Sequence, residues 1–149
     1  WYYLRYISAK NDEVPFVETM SKRLAKRDIE AIAAFSGEEC LEKLETHQGL
    51  DVIVLDVKMP GMDGIDTLRE VKRLYPLVEV IMLTGHATVE SGVEGMKRGA
   101  YDYLMKPCDI DDLVAKVKSA AKKKKEHEEK IKEAEKQEIL AKYGPFYYA

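Results

Sequence analysis

An apolar run that ends in a carboxylate is the feature of this sequence that most clearly indicates chemistry. Asp51 is followed by Val-Ile-Val-Leu and then by Asp56, after which Met-Pro-Gly at 59–61 indicates a turn. The run is too short for a helix and lacks polar alternation, which is typical of a strand buried on both faces of a parallel sheet. Asp56 is therefore expected at the carboxyl edge of the sheet, where such folds bind ligands. A strand-end acid that only caps the turn would occupy the same position.

Other strand ends also carry polar side chains. The apolar run at 78–83 ends at Thr84, the run at 101–105 ends at Lys106, and a candidate first strand leads to Asn-Asp-Glu at 11–13. Because the carboxyl ends of parallel strands share one edge, acid, hydroxyl and ammonium groups are expected together there. Taken singly, Lys106 could be a surface lysine and Thr84 a strand-end hydroxyl.

Strands and helices alternate along the chain, which predicts an α/β fold with a doubly wound parallel sheet. Ser36 and Glu39 form a capping box ahead of the second helix. Gly99 is expected to stop the fourth helix, and Asp109 to cap the last one. The strands are predicted at about 4–9, 30–35, 51–56, 78–83 and 101–105, and the helices at 14–26, 37–47, 64–74, 88–98 and from 109 onward.

Size and charge restrict the class of protein. The 149 residues fit a single domain with a substantial core, and a formal net charge of −3 argues against direct nucleic-acid binding. The sequence has no signal-peptide pattern and no apolar stretch near the roughly 20 residues that span a bilayer, so a cytoplasmic protein without membrane contact is expected. Cys40 and Cys108 are interpreted as reduced thiols. The three histidines lack the spacing of zinc ligands.

The sequence changes character after Ala121. Residues 122–142 are dominated by lysine and glutamate. The prediction is a domain at 4–121 followed by a charged helical extension or linker at 122–149. A last helix continuous to residue 141 would be roughly 50 Å long.

The extension allows homodimerisation through a coiled coil. Lys124 and Glu138 fall in the same seam as its apolar residues, which weakens the heptad pattern. The apolar seam residues are Val117, Ala120, Ile131, Ala134 and Ala141.

Aromatic residues are concentrated at both ends of the chain and are assigned no function.

Taken together, these motifs resemble the receiver domain of two-component response regulators, including the chemotaxis regulators. The resemblance covers residues 4–121 and implies a flavodoxin-like sheet of five parallel strands in the order 2-1-3-4-5. It implies a phosphoprotein of phosphorelay signal transduction that catalyses only its own phosphorylation and dephosphorylation. The motifs are Asn-Asp-Glu at 11–13, Asp56 with Met-Pro-Gly and Gly64, Thr84-Gly85, and Tyr103 with Lys106-Pro107.

The resemblance implies a role for each residue at the sheet edge. Asp56 would be the phosphoacceptor, since a carboxylate can attack an activated phosphoryl group. Mg²⁺ would be the cofactor, held by Asp12, Asp56 and the backbone carbonyl of Lys58. Lys106 and Thr84 would stabilise the phosphorylated state by donating to the phosphoryl oxygens.

The resemblance also implies a conformational switch. In similar domains the hydroxyl of the residue at Thr84 moves toward the phosphate, and the aromatic residue at Tyr103 fills the vacated space. Positions two after the acid and two after the hydroxyl, here Lys58 and His86, tune the lifetime of the phosphoryl group. Pro107 matches the proline that follows a cis peptide in this family.

One position departs from the family pattern. Asn11 stands where receivers usually have a second acid before the glutamate, so it would reach the metal only through a bound water. Because asparagine carries no charge, weaker Mg²⁺ binding is expected than in a site with both acids.

The expected partners are a sensor histidine kinase or phosphotransfer protein and a downstream output protein or domain. Homodimerisation is allowed through the face of the fourth helix, fifth strand and fifth helix, or through the C-terminal helix. An unphosphorylated receiver-like interaction module is the principal alternative. An aspartate-based phosphatase would need an acid where Lys58 stands, and a flavin protein would need a phosphate-binding loop where residues 11–13 are acidic.

Overall fold

Strands and helices alternate throughout the part of the chain that is described. The computed structural model describes residues 2–7, 14–47, 49–56, 64–84, 94–105 and 108–144. The strands are β1 (Tyr2–Ile7), β2 (Ile29–Ala34), β3 (Val52–Asp56), β4 (Glu79–Thr84) and β5 (Asp102–Met105). The helices are α1 (Val14–Ala25), α2 (Gly37–Thr46), α3 (Gly64–Leu74), the helical residues 94–97, called α4 here, and α5 (Ile110–Tyr143).

The five strands form one parallel sheet in the order β2-β1-β3-β4-β5. This order confirms the predicted flavodoxin-like α/β fold. The first strand, however, begins at Tyr2 rather than at about residue 4, and it pairs with β2 from Tyr2 to Ile7. Tyrosine favours strands, so the N-terminal tyrosines, which had been assigned no function, belong to the sheet. Residues 8 and 9, the end of the strand predicted at about 4–9, lie outside the described residues.

The central strand β3 is covered on both faces. Its residues Val52 to Leu55 have no exposed surface. Val52 and Val54 pack in a cluster that includes residues of α1 and α5, whereas Ile53 and Leu55 pack in a second cluster with α2 and α3. This double burial explains why the sequence of the strand shows no polar alternation. Asp56 is thus the first polar residue after a fully apolar run.

The helix ends follow the predicted capping signals. Glu39 N donates to Ser36 Oγ at 3.0 Å, and α2 begins at Gly37 as predicted. The Glu39 carboxylate accepts from Phe35 N at 3.0 Å, and this hydrogen bond, with Lys43 nearby, lowers the pKa of Glu39. Asp109 caps α5 by accepting from Asp111 N at 3.0 Å.

The last helix is the longest element of the described chain. It has 34 residues, and most of its side chains after residue 124 are exposed. At 1.5 Å per residue it is roughly 50 Å long. Neither this helix nor any other in the described part of the chain is long and apolar enough to cross a membrane.

Candidate functional site at the carboxyl edge of the sheet

The register of the sheet brings the ends of three strands together. Asp56 is the last residue of β3 and lies opposite Leu83 of β4. Thr84 is the last residue of β4 and lies opposite Met105, the last residue of β5. Neighbouring strands are about 4.8 Å apart and rise about 3.3 Å per residue, so the Cα atoms of Asp56 and Thr84 lie roughly 6 Å apart. The backbone therefore places the predicted acid and hydroxyl residues on adjacent strands at one edge.

Strand β1 ends at the same edge. Ile7, the last residue of β1, lies opposite Leu55, which precedes Asp56. The chain that carries Asn11 and Asp12 thus starts beside the end of β3. In a parallel sheet this shared edge is where ligand-binding loops converge.

The structure describes some of the predicted site residues but not others. Asp56 and Thr84 are described through their backbone positions, and Tyr103 is described together with its side chain. The other predicted residues remain predictions, because they lie outside the described residues: Asn11, Asp12, Lys58, His86, Lys106 and Pro107.

Tyr103 lies on the edge strand β5, opposite Met82 in the register. Its side chain is 38% exposed, and Met105, two residues along the same strand, is 55% exposed. The neighbouring Asp102 is held by an ion pair with Lys116 of α5 and accepts from the Tyr103 backbone N at 2.8 Å. Tyr103 is therefore in an accessible position on the strand whose end adjoins Thr84.

Asp56 is the predicted metal ligand whose backbone the structure describes at this edge. Carboxylate and backbone carbonyl oxygens are the ligands that Mg²⁺ prefers, and β1 and β3 end side by side here. Across the described ranges, no group of three or more His, Cys, Asp or Glu side chains could bind a metal. Asn11, Asp12 and Lys58 lie outside those ranges.

Several charged residues gather at the opposite edge of the sheet, and sequence reasoning did not single them out. Asp51 immediately precedes β3 and Glu79 is the first residue of β4; both are almost completely buried, as is Lys124 of α5. Lys72 of α3 donates to the Val78 carbonyl at 3.1 Å. Burial lowers the pKa of Lys72, against the attraction of Glu79. The sequence signals were an acid directly before an apolar strand, at Asp51, and a lysine in an apolar helical seam, at Lys124.

Comparison with known proteins identifies the family. Residues 9–118 match the sequence pattern described as response regulator receiver domain. These residues make up well over half of the chain, so the chain belongs to the receiver domain family of response regulators, the signalling proteins of two-component systems. The predicted resemblance is thereby confirmed.

Similar proteins of known sequence are bacterial regulators. The transcriptional regulatory protein ZraR of Escherichia coli (strain K12) is 45% identical over 87 residues, which are 58% of this chain and 20% of that protein. The DNA-binding transcriptional regulator NtrC of Klebsiella pneumoniae is 44% identical over 85 residues, 57% of this chain and 18% of that protein. The chain spans about a fifth of the length of these curated relatives.

Solved structures show the same fold. A response regulator receiver domain protein from Clostridium thermocellum superposes with a TM-score of 0.78 at 32% identity, covering 84% of this chain and 98% of that one. NtrX from Brucella abortus, solved in complex with ADP, gives a TM-score of 0.77 at 27% identity, covering 85% of this chain and 28% of that one.

Proposed function

We propose that this receiver is a phosphorylation-activated switch that accepts a phosphoryl group from a histidine kinase on Asp56, in the cytoplasm. The single observation that carries the proposal is the register that puts Asp56 and Thr84 at the ends of adjacent strands. Membership of the receiver family supports the same reaction class. The domain would be the phosphoacceptor unit, and the charged part of α5 would lead away from it.

The chemistry is nucleophilic attack by a carboxylate. An Asp56 oxygen forms a bond to phosphorus, the bond from phosphorus to the donor nitrogen breaks, and an acyl phosphate results. Mg²⁺, when bound, neutralises charge between the anionic groups. Asp12, Asp56 and the Lys58 carbonyl would hold it, with Asn11 reaching it through water. The missing second acid at Asn11 would weaken this binding.

The phosphorylated state would be read through movement at the sheet edge. Lys106 and Thr84 would donate to the phosphoryl oxygens, and Tyr103 would turn inward as the Thr84 hydroxyl is drawn to the phosphate. Tyr103 now lies accessible on the edge strand, from which such a movement could start. The surface of α4, β5 and α5 would then differ between the two states, and a partner would bind one of them better.

The switch would be read by an output domain of a longer regulator or by a separate protein. The relatives are named as transcriptional regulators, and one as DNA-binding, although the chain spans only about a fifth of each. We therefore propose that this receiver controls transcription through an output domain that contacts DNA. The expectation of no direct nucleic-acid contact would then apply only to these 149 residues and their net charge of −3. Dimerisation through α5 or the α4, β5 and α5 face would be one route of control.

The test is phosphorylation by a small donor. The chain is incubated with acetyl phosphate and Mg²⁺, and its intact mass is measured together with that of Asp56→Asn. Asp66→Asn is a matched control, because Asp66 lies in the first turn of α3 and pairs with Arg69 at 2.7 Å.

We expect one phosphoryl group on the parent chain and on the Asp66→Asn chain, and none on Asp56→Asn. Loss of uptake when Mg²⁺ is chelated is also expected. A parent chain that stays unmodified, and that shows no response to beryllium fluoride, would favour the unphosphorylated interaction module instead.

A further inference from the structure

Three of the charged side chains buried in the described structure lie together at the amino edge of the sheet. They are Asp51, Glu79 and Lys124, with exposures of 6%, 3% and 7%. With Lys123 they form what we call the basal cluster. It lies at the opposite end of β3 from Asp56, so the proposed phosphorylation reaction makes no use of it. Burial of charge is costly unless each group is paired, so the arrangement needs an explanation.

Lys124 is held by three acceptors. Its Nζ donates to the Leu50 carbonyl at 2.8 Å and lies 3.3 Å from Asp51 Oδ1 and 3.2 Å from Glu128 Oε1. The first two contacts are hydrogen bonds, and Glu128 adds an ion pair, so the buried ammonium is well compensated. Leu50 and Asp51 immediately precede β3, so this side chain ties α5 directly to the central strand.

Lys123 makes a second connection to the neighbouring strand. Its Nζ lies 3.8 Å from Glu79 Oε2 and 5.5 Å from the centre of the Tyr101 ring. Glu79 is the first residue of β4, and its backbone N donates to the Asp51 carbonyl at 3.2 Å. Two consecutive lysines of one helix thus contact the starts of two adjacent strands, which fixes both the position and the rotation of the helix.

We propose that the basal cluster fixes the direction of the charged extension relative to the sheet, so that α5 leaves the domain as a rigid stalk and not as a flexible linker. The packed body would then continue to about Glu128, beyond the boundary at Ala121 that the sequence pattern predicts. Residues 129–143 would project from it by about 22 Å at 1.5 Å per residue. Whatever follows the stalk would be held in one orientation to the phosphoacceptor domain.

The test compares Lys124→Met with Lys122→Met in the full chain. Methionine keeps most of the aliphatic stem of lysine and removes the ammonium. Lys122 is the matched control, since its side chain is 78% exposed and it pairs with Glu126 only at 4.0 Å. Nitroxide labels at Glu45→Cys and Glu135→Cys, with Cys108→Ser, report the distance between the body and the stalk by pulsed electron paramagnetic resonance.

We expect a narrow distance distribution in the parent chain and in Lys122→Met, and a clearly broader one in Lys124→Met. The melting temperature of Lys124→Met should fall by about 10 °C, because the Asp51 carboxylate stays buried without its partner. An unchanged distribution in Lys124→Met would overturn the proposal.

A double variant separates orientation from simple stability. Adding Asp51→Asn to Lys124→Met removes both charges, so we expect most of the melting temperature to return. The distance distribution should stay broad, because the hydrogen bond from Lys124 to the Leu50 carbonyl is still missing. A distribution that narrows again as stability returns would mean that the cluster only stabilises the fold, and the stalk proposal would be wrong.

Discussion

Removal of the Leu83 side chain should test how tightly the core supports the carboxyl edge of the sheet. Leu83 is fully buried, lies opposite Asp56 in the register, and packs in the cluster beneath α1 and α5. Leu83→Ala deletes three carbon atoms from a site with no exposed surface through which it could relax. We expect a loss of about 3 kcal/mol, within the range of about 2–5 kcal/mol for such substitutions.

Urea denaturation measures this loss. With an m-value of about 2 kcal/mol/M, the midpoint should fall by about 1.5 M at an unchanged slope. Leu74→Ala is the control, because Leu74 ends α3 with 48% of its surface exposed and should cost less than about 1 kcal/mol. Equal losses of unfolding free energy in Leu83→Ala and Leu74→Ala would refute the reasoning that the core around Leu83 is closed and well packed.

Two further predictions concern local structure. Gly99 has a φ of +98°, so Gly99→Ala should lower the free energy of unfolding by about 1–2 kcal/mol in urea denaturation. Gly95→Ala is the control and should cause no such loss, because its added Cβ would lie 3.4 Å from Met82 Cγ. The lowered pKa of Glu39 contributes stability that is present above the ordinary value of 4.5 and is lost as pH falls through the lowered value. Glu39→Gln should therefore reduce the loss of unfolding free energy at acid pH by a few tenths of a kcal/mol, about what a half-exposed group retains. The same dependence of unfolding free energy on pH in both chains would contradict this.

The sequence was sufficient to predict the architecture, because each signal had a local physical cause. The unbroken apolar run before Asp56 reflects burial on both faces, and the capping box at Ser36 fixes the start of α2. The register that puts Asp56 opposite Leu83, the residue before Thr84, follows from strand ends that are visible in the sequence. The positions of Asp12 and Lys106 at this edge remain predictions from the sequence, because both residues lie outside the described ranges.

The basal cluster could not be predicted in the same way. Lys124 stands in a run of four lysines, and its one local distinction is its place in the same helical seam as Val117 and Ala120, which does not show what it contacts. Its burial depends on where α5 crosses the starts of β3 and β4, which is a tertiary property. The predicted start of β1 at about residue 4 is also wrong, because Tyr2 and Tyr3, residues that favour strands, already pair with β2.

The position of β1 also has a consequence for how the chain folds. This strand comes first along the chain, yet it is paired on both sides, and its register joins Leu4 to Val52. During synthesis, almost fifty residues after β1 must therefore be made before β3, its second neighbour, is available. Such long-range pairing slows folding and leaves a strand edge open in the meantime. Nascent chains that stall before β3 should be the species most prone to aggregate.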